Sequence, residues 1–157
     1  MNDAKEVLEL LKDRHLCISS AESFTGGLFV KELSDVPGAS IVLNGAAITY
    51  TPAAKAKVLG VSLKTILDFG VISKECAYEM AREVRRLFNS DIGVSFTGNA
   101  GPSASEDKPV GLCYIAIDSD KSTRLYELKL NGSREEIREK ACHIMFDKLK
   151  TYIRDLF

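Results

Sequence analysis

At 157 residues, 45% of them hydrophobic and 27% charged, the chain has the length of one ordinary domain and enough apolar mass to fill a core. Its 21 basic and 22 acidic side chains leave a net charge of -1. That balance argues against nucleic acid as a partner, because such binders carry a basic face that releases phosphate counterions. No apolar run approaches the ~20 residues of a spanning helix, so no membrane role is expected. The charged N-terminus MNDAKEVLELLKDR lacks the apolar region and cleavage site of a signal peptide.

No linker, repeat or low-complexity tract divides the chain, and residues 1–157 read as one domain. Residues 3–14 place Val7, Leu8 and Leu11 at helical spacing. Leu16 to Ser20 reads as a buried strand, AESFTGG as a turn, LFVKELSD as a helix and VPGAS as a loop. Ile41 to Tyr50 contains a strand, after which Thr51-Pro52 opens a helix. Proline suits that first helical position, where its missing N–H would be unpaired anyway. SLKTILDF is a short helix closed by Gly70, and Ser73 caps a longer one running to about Asn89. Asp91 to Thr97 and VGLCYIAID are apolar strands, separated by the turn-rich GNAGPSASEDKP. TRLYELKL alternates with a period of two, as a half-exposed strand does. Ser133 and Glu136 form a capping-box pattern before the last helix. Alternating strands and helices predict an α/β fold, a three-layer α/β/α sandwich around a roughly five-stranded sheet. The short link between the last two strands predicts an antiparallel hairpin, which makes the sheet mixed.

Four cysteines, Cys17, Cys76, Cys113 and Cys142, are far apart and form no CxxC pair. Cys17 and Cys113 fall in strand-like runs, the other two in helical patterns. Free thiols suit a reducing compartment, so a cytoplasmic protein is expected, with neither a disulfide framework nor a zinc site. His15 and His143 are the only histidines and have no evident carboxylate partner, which speaks against a His-based triad or metal centre. The cluster from Arg82 to Arg86 is interrupted by Glu83 and reads as a solvated helix face.

Three loops that follow strands could carry chemistry, since α/β ligand sites gather beyond the carboxyl ends of strands. AESFTGG places Glu22, Ser23, Thr25, Gly26 and Gly27 at a helix start, where free N–H groups bind anions or a developing oxyanion. By local pattern alone it reads rather as a tight strand-to-helix turn with Ser or Thr as N-cap. TYTPAAK places Tyr50 at a strand end and Lys55 in the first helical turn. Lys55 and Lys57 are two apart, so at most one can face a site. FTGNAGPSASEDKPVG offers Thr97, Gly98, Asn99 and Gly101 close to a ligand, and Lys108 for a phosphate. It fits neither the P-loop spacing nor the dinucleotide fingerprint.

Taken in order, AESFTGG, VPGAS, TYTPAAKAKVLGV, GVISKECAYEMA, FTGNAGP, KPVG and the tail NGSREEIREKA resemble the CinA C-terminal domain family, the nicotinamide-nucleotide amidases. The resemblance covers nearly the whole chain. It implies hydrolysis of nicotinamide mononucleotide to nicotinate mononucleotide and ammonia, with a small nucleotide as substrate and no metal or cofactor. By the same resemblance Ser23 matches the nucleophile, Lys55 its base and Tyr50 the accompanying tyrosine. Phe24, Pro52 and Asn99 depart from the family pattern, as does SASEDKP, where relatives carry Asp and Gly-Gly before the Lys-Pro.

A serine hydroxyl needs an adjacent base, and a lysine serves only if burial keeps it neutral. The expectation is therefore that Lys55 takes the Ser23 proton, with Tyr50 orienting the lysine or relaying the proton. Amides near Thr25 to Gly27, or those of Gly98 and Asn99, would hold the oxyanion. Two other readings stay open: a binding module without catalysis, and an amidase for another small substrate. A homo-oligomer is expected, because so small a chain often completes its site by assembling.

Overall fold

The computed structural model describes residues 2–157. Five strands form one sheet in the order β2-β1-β3-β4-β5. They are β1 (Ile18–Glu22), β2 (Leu43–Ile48), β3 (Ile92–Gly98), β4 (Leu112–Asp118) and β5 (Thr123–Lys129). β1 is parallel to β2 and to β3, whereas β3–β4 and β4–β5 are antiparallel, so the sheet is mixed and ends in the expected hairpin.

Helices cover both faces. α1 (Asp3–Asp13), α2 (Leu28–Ser34) and α6 (Arg134–Leu156) bury their apolar stripes against Ile18, Val94, Phe96, Ile115 and Ile117. Phe29 of α2 stacks on Phe146 of α6 with ring centroids 4.7 Å apart. α5 (Lys74–Leu87) covers the opposite face, with α4 (Leu63–Phe69) packed against it. There the strands present small residues, and the helix comes close. A Cβ on Gly93 would lie 2.1 Å from the Ala81 carbonyl, so only glycine fits. Ser95 Oγ donates to Ala77 O and Ser19 Oγ to Val84 O, which satisfies hydroxyls that would otherwise be buried without partners.

Caps set the helix ends. Asn2 accepts from Ala4 N at the start of α1, Ser73 caps α5, and Ser133 with Glu136 forms the full capping box of α6. Two expectations are corrected. The first strand begins at Ile18 and runs to Glu22, not from Leu16 to Ser20, and half-exposed Cys17 precedes it with its N–H and thiol on Asp91 Oδ2. His143 does have a carboxylate partner, Asp3 at 2.8 Å, on the exposed surface of α6.

The segment after β2 also differs from a plain helix. α3 (Pro52–Ala54), capped by the Thr51 hydroxyl, passes at once into a π-helical turn, Lys55–Leu59. Such widened turns often mark functional positions. Here the turn buries Lys55 and Leu59 while leaving Lys57 and Val58 outside.

Candidate active site

Because β1, β2 and β3 are parallel, their carboxyl ends share one edge of the sheet. The chain moves outward from β1 to β2, then returns past β1 to β3, so a crevice opens at this edge. Ser23 follows β1 directly, and its N–H continues the ladder to Phe96 O at 3.1 Å. Lys55 arrives from the β2 side. Its Nζ lies 2.8 Å from Ser23 Oγ and 2.7 Å from the carbonyl of Thr49. Thr49 is itself fixed, its N–H donating to Glu22 O.

The lysine is 1% exposed and the serine 8%. Among the described residues, no carboxylate forms an ion pair with Lys55. Burial therefore pushes its pKa below the usual lysine range, against weaker opposing fields from Cys76 and Glu106. The Cys76 thiol is pushed up to about 12 by its own burial and stays uncharged near neutrality. A buried amine next to a hydroxyl is an arrangement that can remove a proton from it.

The dyad opens into a cavity of about 220 Å³. Ser23, Tyr50, Lys55, Thr97, Gly98, Asn99 and Gly101 all line it, together with Phe24, Val71, Ile72 and the Ser103–Ser105 segment. Seven residues singled out in the sequence thus meet at one place, though their tasks differ. The Tyr50 hydroxyl accepts from Arg134 Nη2 at 2.9 Å and does not touch Lys55, which is oriented by Thr49 O instead. Thr97 Oγ1 donates to Val71 O and so fixes a cavity wall. The Asn99 amide is fully engaged within its own loop. Nδ2 donates to Ser105 O and Lys108 O, while Oδ1 accepts from Ser105 N and Oγ. Gly98 is needed for packing, since a Cβ there would sit 2.7 Å from Cys113 Cα.

Glu22, Thr25, Gly26, Gly27 and Lys108 do not line the cavity. The buried Glu22 carboxylate accepts from the amides of Gly27, Phe29 and Val30, each at 3.1 Å, and so caps α2. Gly26 N donates to Ser23 O, so the amides of both glycines are occupied within the turn and do not face a ligand. Lys108 Nζ, expected at a phosphate, donates to Phe69 O, Ile72 O and Glu106 Oε1. Glu106 in turn accepts from Val71 N and Ile72 N. The pair clamps the Ala100–Gly111 loop onto the α4–α5 connection.

A family model, the CinA C-terminal domain, matches residues 2–153. The chain belongs to the CinA C-terminal domain family. A CinA-family relative from Caldanaerobacter subterraneus, provisionally named competence-damage inducible, is 45% identical over 148 residues. That alignment takes in 94% of this chain but 36% of the relative, so the chain spans about a third of the length of the curated relatives it matches. A CinA-like protein of Fervidobacterium nodosum is 43% identical over 145 residues, 92% of this chain and 36% of that protein. Among solved structures, the competence/damage inducible protein CihA of Agrobacterium tumefaciens superposes with a TM-score of 0.89 at 32% identity, covering 96% of each chain. A CinA superfamily protein of Enterobacter cloacae gives 0.93 at 27%, covering 96% of this chain and 90% of that one.

The structure adds two residues to this CinA site that were not singled out from sequence, both on the first turns of α6. Arg134 lines the cavity, with Nη1 on Gly101 O at 2.6 Å and Nη2 on the Tyr50 hydroxyl. Arg138, one turn on, donates from Nε to Phe24 O and from Nη2 to Thr25 O, both at 3.0 Å, and so holds the turn that carries Ser23. One signal was available. A cation in the first turn of a helix opposes the macrodipole, so Arg134 at that position suggests a task other than helix stability. Among the described residues, no group of three or more His, Cys, Asp and Glu could hold a metal ion, and no helix is long and apolar enough to cross a membrane.

Proposed function

We propose that this domain is a cytoplasmic amidohydrolase that deamidates nicotinamide mononucleotide, with Ser23 as nucleophile and Lys55 as its base. The observation that carries the reading is the 2.8 Å contact between a buried serine hydroxyl and a buried lysine amine that has no carboxylate partner. As a neutral amine, Lys55 donates to Thr49 O and turns its lone pair toward Ser23. It takes the hydroxyl proton as Oγ attacks the carboxamide carbon. It then returns that proton to nitrogen, so that the C–N bond breaks and ammonia leaves. Water, deprotonated by the same amine, attacks the acyl ester, and Ser23 is regenerated as nicotinate departs.

The tetrahedral oxygen needs N–H donors; the Gly26 and Gly27 amides are occupied, and so is the expected Asn99 N–H, which donates to Leu112 O at 3.0 Å, so the other amides of the Gly98–Gly101 turn on the cavity wall are the better source. Arg134 is, besides Lys55, the cationic side chain on the cavity, and its guanidinium suits a phosphate. A carboxamide at Ser23 and a phosphate at Arg134 are compatible with the two ends of a pyridine mononucleotide, which supports the reading.

The test is ammonia release from nicotinamide mononucleotide by the wild type, Ser23→Ala, Lys55→Ala and Lys55→Arg. The reading expects turnover only from the wild type, and turnover that survives EDTA. Wild-type protein that releases no ammonia would exclude this substrate. Substantial kcat in Lys55→Arg would exclude the base, because a guanidinium stays protonated.

A further inference from the structure

Among the described residues, four other than glycine hold a positive φ: His15, Asn89, Glu106 and Asp107. His15 and Asn89 stand just past the ends of α1 and α5, where a left-handed residue ordinarily closes a helix. Glu106 (φ 60°) and Asp107 (φ 55°) have no helix to close. They are the central residues of a turn in which Lys108 N donates to Ser105 O at 3.2 Å. Turns with two positive φ values favour glycine, asparagine or aspartate, and a glutamate there is strained. Such strain persists only where the surroundings hold the residue in place, and it gathers at functional positions.

From this position the Glu106 carboxylate grips the α4–α5 connection. Oε2 accepts from Val71 N and Oε1 from Ile72 N, both at 2.9 Å. Gly70 leaves room for it, since a Cβ there would lie 2.5 Å from Oε2. The carbonyls of the same two residues are held as well. Thr97 Oγ1 donates to Val71 O at 2.7 Å and Lys108 Nζ to Ile72 O at 2.5 Å. Side chains thus satisfy every backbone polar group of a segment that belongs to no helix or strand. Burial works against the Glu106 charge, but the Ile72 and Val71 amides and Lys108 outweigh it and hold the carboxyl below the usual glutamate range. Val71 and Ile72 line the cavity, and so does Ser103–Ser105, which runs directly into Glu106. One carboxylate, itself outside the cavity lining, therefore joins two of its walls.

We propose that Glu106 is a positioning residue of this site: by gripping Val71 and Ile72 from the end of the Ser103–Ser105 segment, it fixes the width of the cavity and with it the affinity for substrate. The kinetic part rests on the deamidase reading; the geometric part does not. Glu106 bonds to neither Ser23 nor Lys55, so the chemical step is left to them.

Amide hydrogen exchange and ammonia release from nicotinamide mononucleotide, measured on the same variants, test it. Glu106→Gly relieves the strained backbone but removes the carboxylate. Glu106→Asp keeps the charge on a side chain one methylene shorter, in a backbone conformation that aspartate accepts more readily. In both, the Val71 and Ile72 amides should exchange about tenfold faster or more, and KM should rise by about 10- to 100-fold with kcat near the wild-type value. Asp107→Gly relieves the same turn without touching the carboxylate, and its exchange and KM should match the wild type. Circular dichroism and the protection of the five strands should be those of the folded protein in all three. A wild-type KM in Glu106→Gly would overturn the proposal, because the residue would then serve the turn alone. Unchanged exchange at Val71 and Ile72 would overturn it too, as would a loss confined to kcat. A wild type that released no ammonia would sink the substrate reading, and exchange at Val71 and Ile72 would then uphold or overturn the grip by itself.

Discussion

Lys55 joins two requirements that conflict in water: it must carry a lone pair near neutral pH, yet lysine ordinarily holds its proton to about 10.5. Burial resolves the conflict by disfavouring the ammonium. Activity should therefore rise with pH through the lowered Lys55 pKa, and kcat/KM measured across pH should show one deprotonation on its acid limb. Lys57, exposed on the same turn, should tolerate alanine. The α6 arginines make a sharper pair of predictions. Arg134→Met should leave kcat nearly intact and raise KM by about 10- to 100-fold, the scale of one hydrogen bond to a charged group. Arg138→Met should lower kcat with little change in KM, because its guanidinium holds the Ser23 turn and does not reach the cavity; misplacing a nucleophile by an ångström costs about 100-fold. Steady-state kinetics on the two variants separates the roles, and matched profiles would refute the division. Ser23 and Lys55 could be singled out by resemblance, whereas local pattern alone reads a tight turn and a surface lysine. The arginines could not be assigned, because Arg134 meets Tyr50 across 84 positions and no local pattern encodes that contact.

The elements that shape the cavity are loops held by side chains, and here the sequence is hardest to interpret. Asn99 and Lys108 are polar residues in a glycine-rich loop, which is what a ligand site also looks like. Only the fold shows that their donors face Ser105 O, Phe69 O and Ile72 O. The same limit applies to β1. Its face toward α5 is built from Ser19 and Ala21, and it ends on a buried glutamate, so a search for apolar letters places the strand two residues early. The Lys55–Leu59 π turn was likewise invisible, since its sequence is compatible with an ordinary helix. By contrast, the alternation in β5 and the Ser133–Glu136 box appear as written, because each depends on contacts within a few residues. The Asn99 knot supports a prediction of its own. Asn99→Ala leaves several polar groups of the loop without partners, at about 1–3 kcal/mol. Amide hydrogen exchange should then accelerate across residues 100–108 while the strands stay protected. KM should rise more than kcat falls, since Ser103 to Ser105 form the wall that the knot holds in place.

For the molecule as a whole, the fold brings to one sheet edge a buried amine that the core would be more stable without. The mixed five-stranded sheet and the helices on both faces followed from the alternation of strands and helices and from the short link of the last hairpin. The strand order did not, because the return of the chain past β1 depends on how α2 and α5 choose opposite faces. Lys55, on the turn that follows β2, is buried and lies within reach of Cys76 in the first turn of α5. Desolvating an amine costs stability, and an apolar side chain of similar length would fill the same space without that cost. Lys55→Met should thus abolish turnover and raise Tm at pH 7 by about 3 °C, for a gain of about 1 kcal/mol in a chain of this size. The pH dependence follows from linkage. The folded pKa of Lys55 lies below its unfolded value, so between the two the unfolded chain binds a proton that the folded chain does not. Stability of the wild type then rises with pH through that window. It gains nothing further above about 10.5, and below the folded pKa the full penalty persists. The advantage of Lys55→Met should accordingly be largest at neutral and lower pH and shrink toward pH 10, as followed by thermal melts of both proteins in matched buffers. An advantage that did not change with pH would mean that the lysine is not desolvated in the folded state, and with that its role as a neutral base would fail.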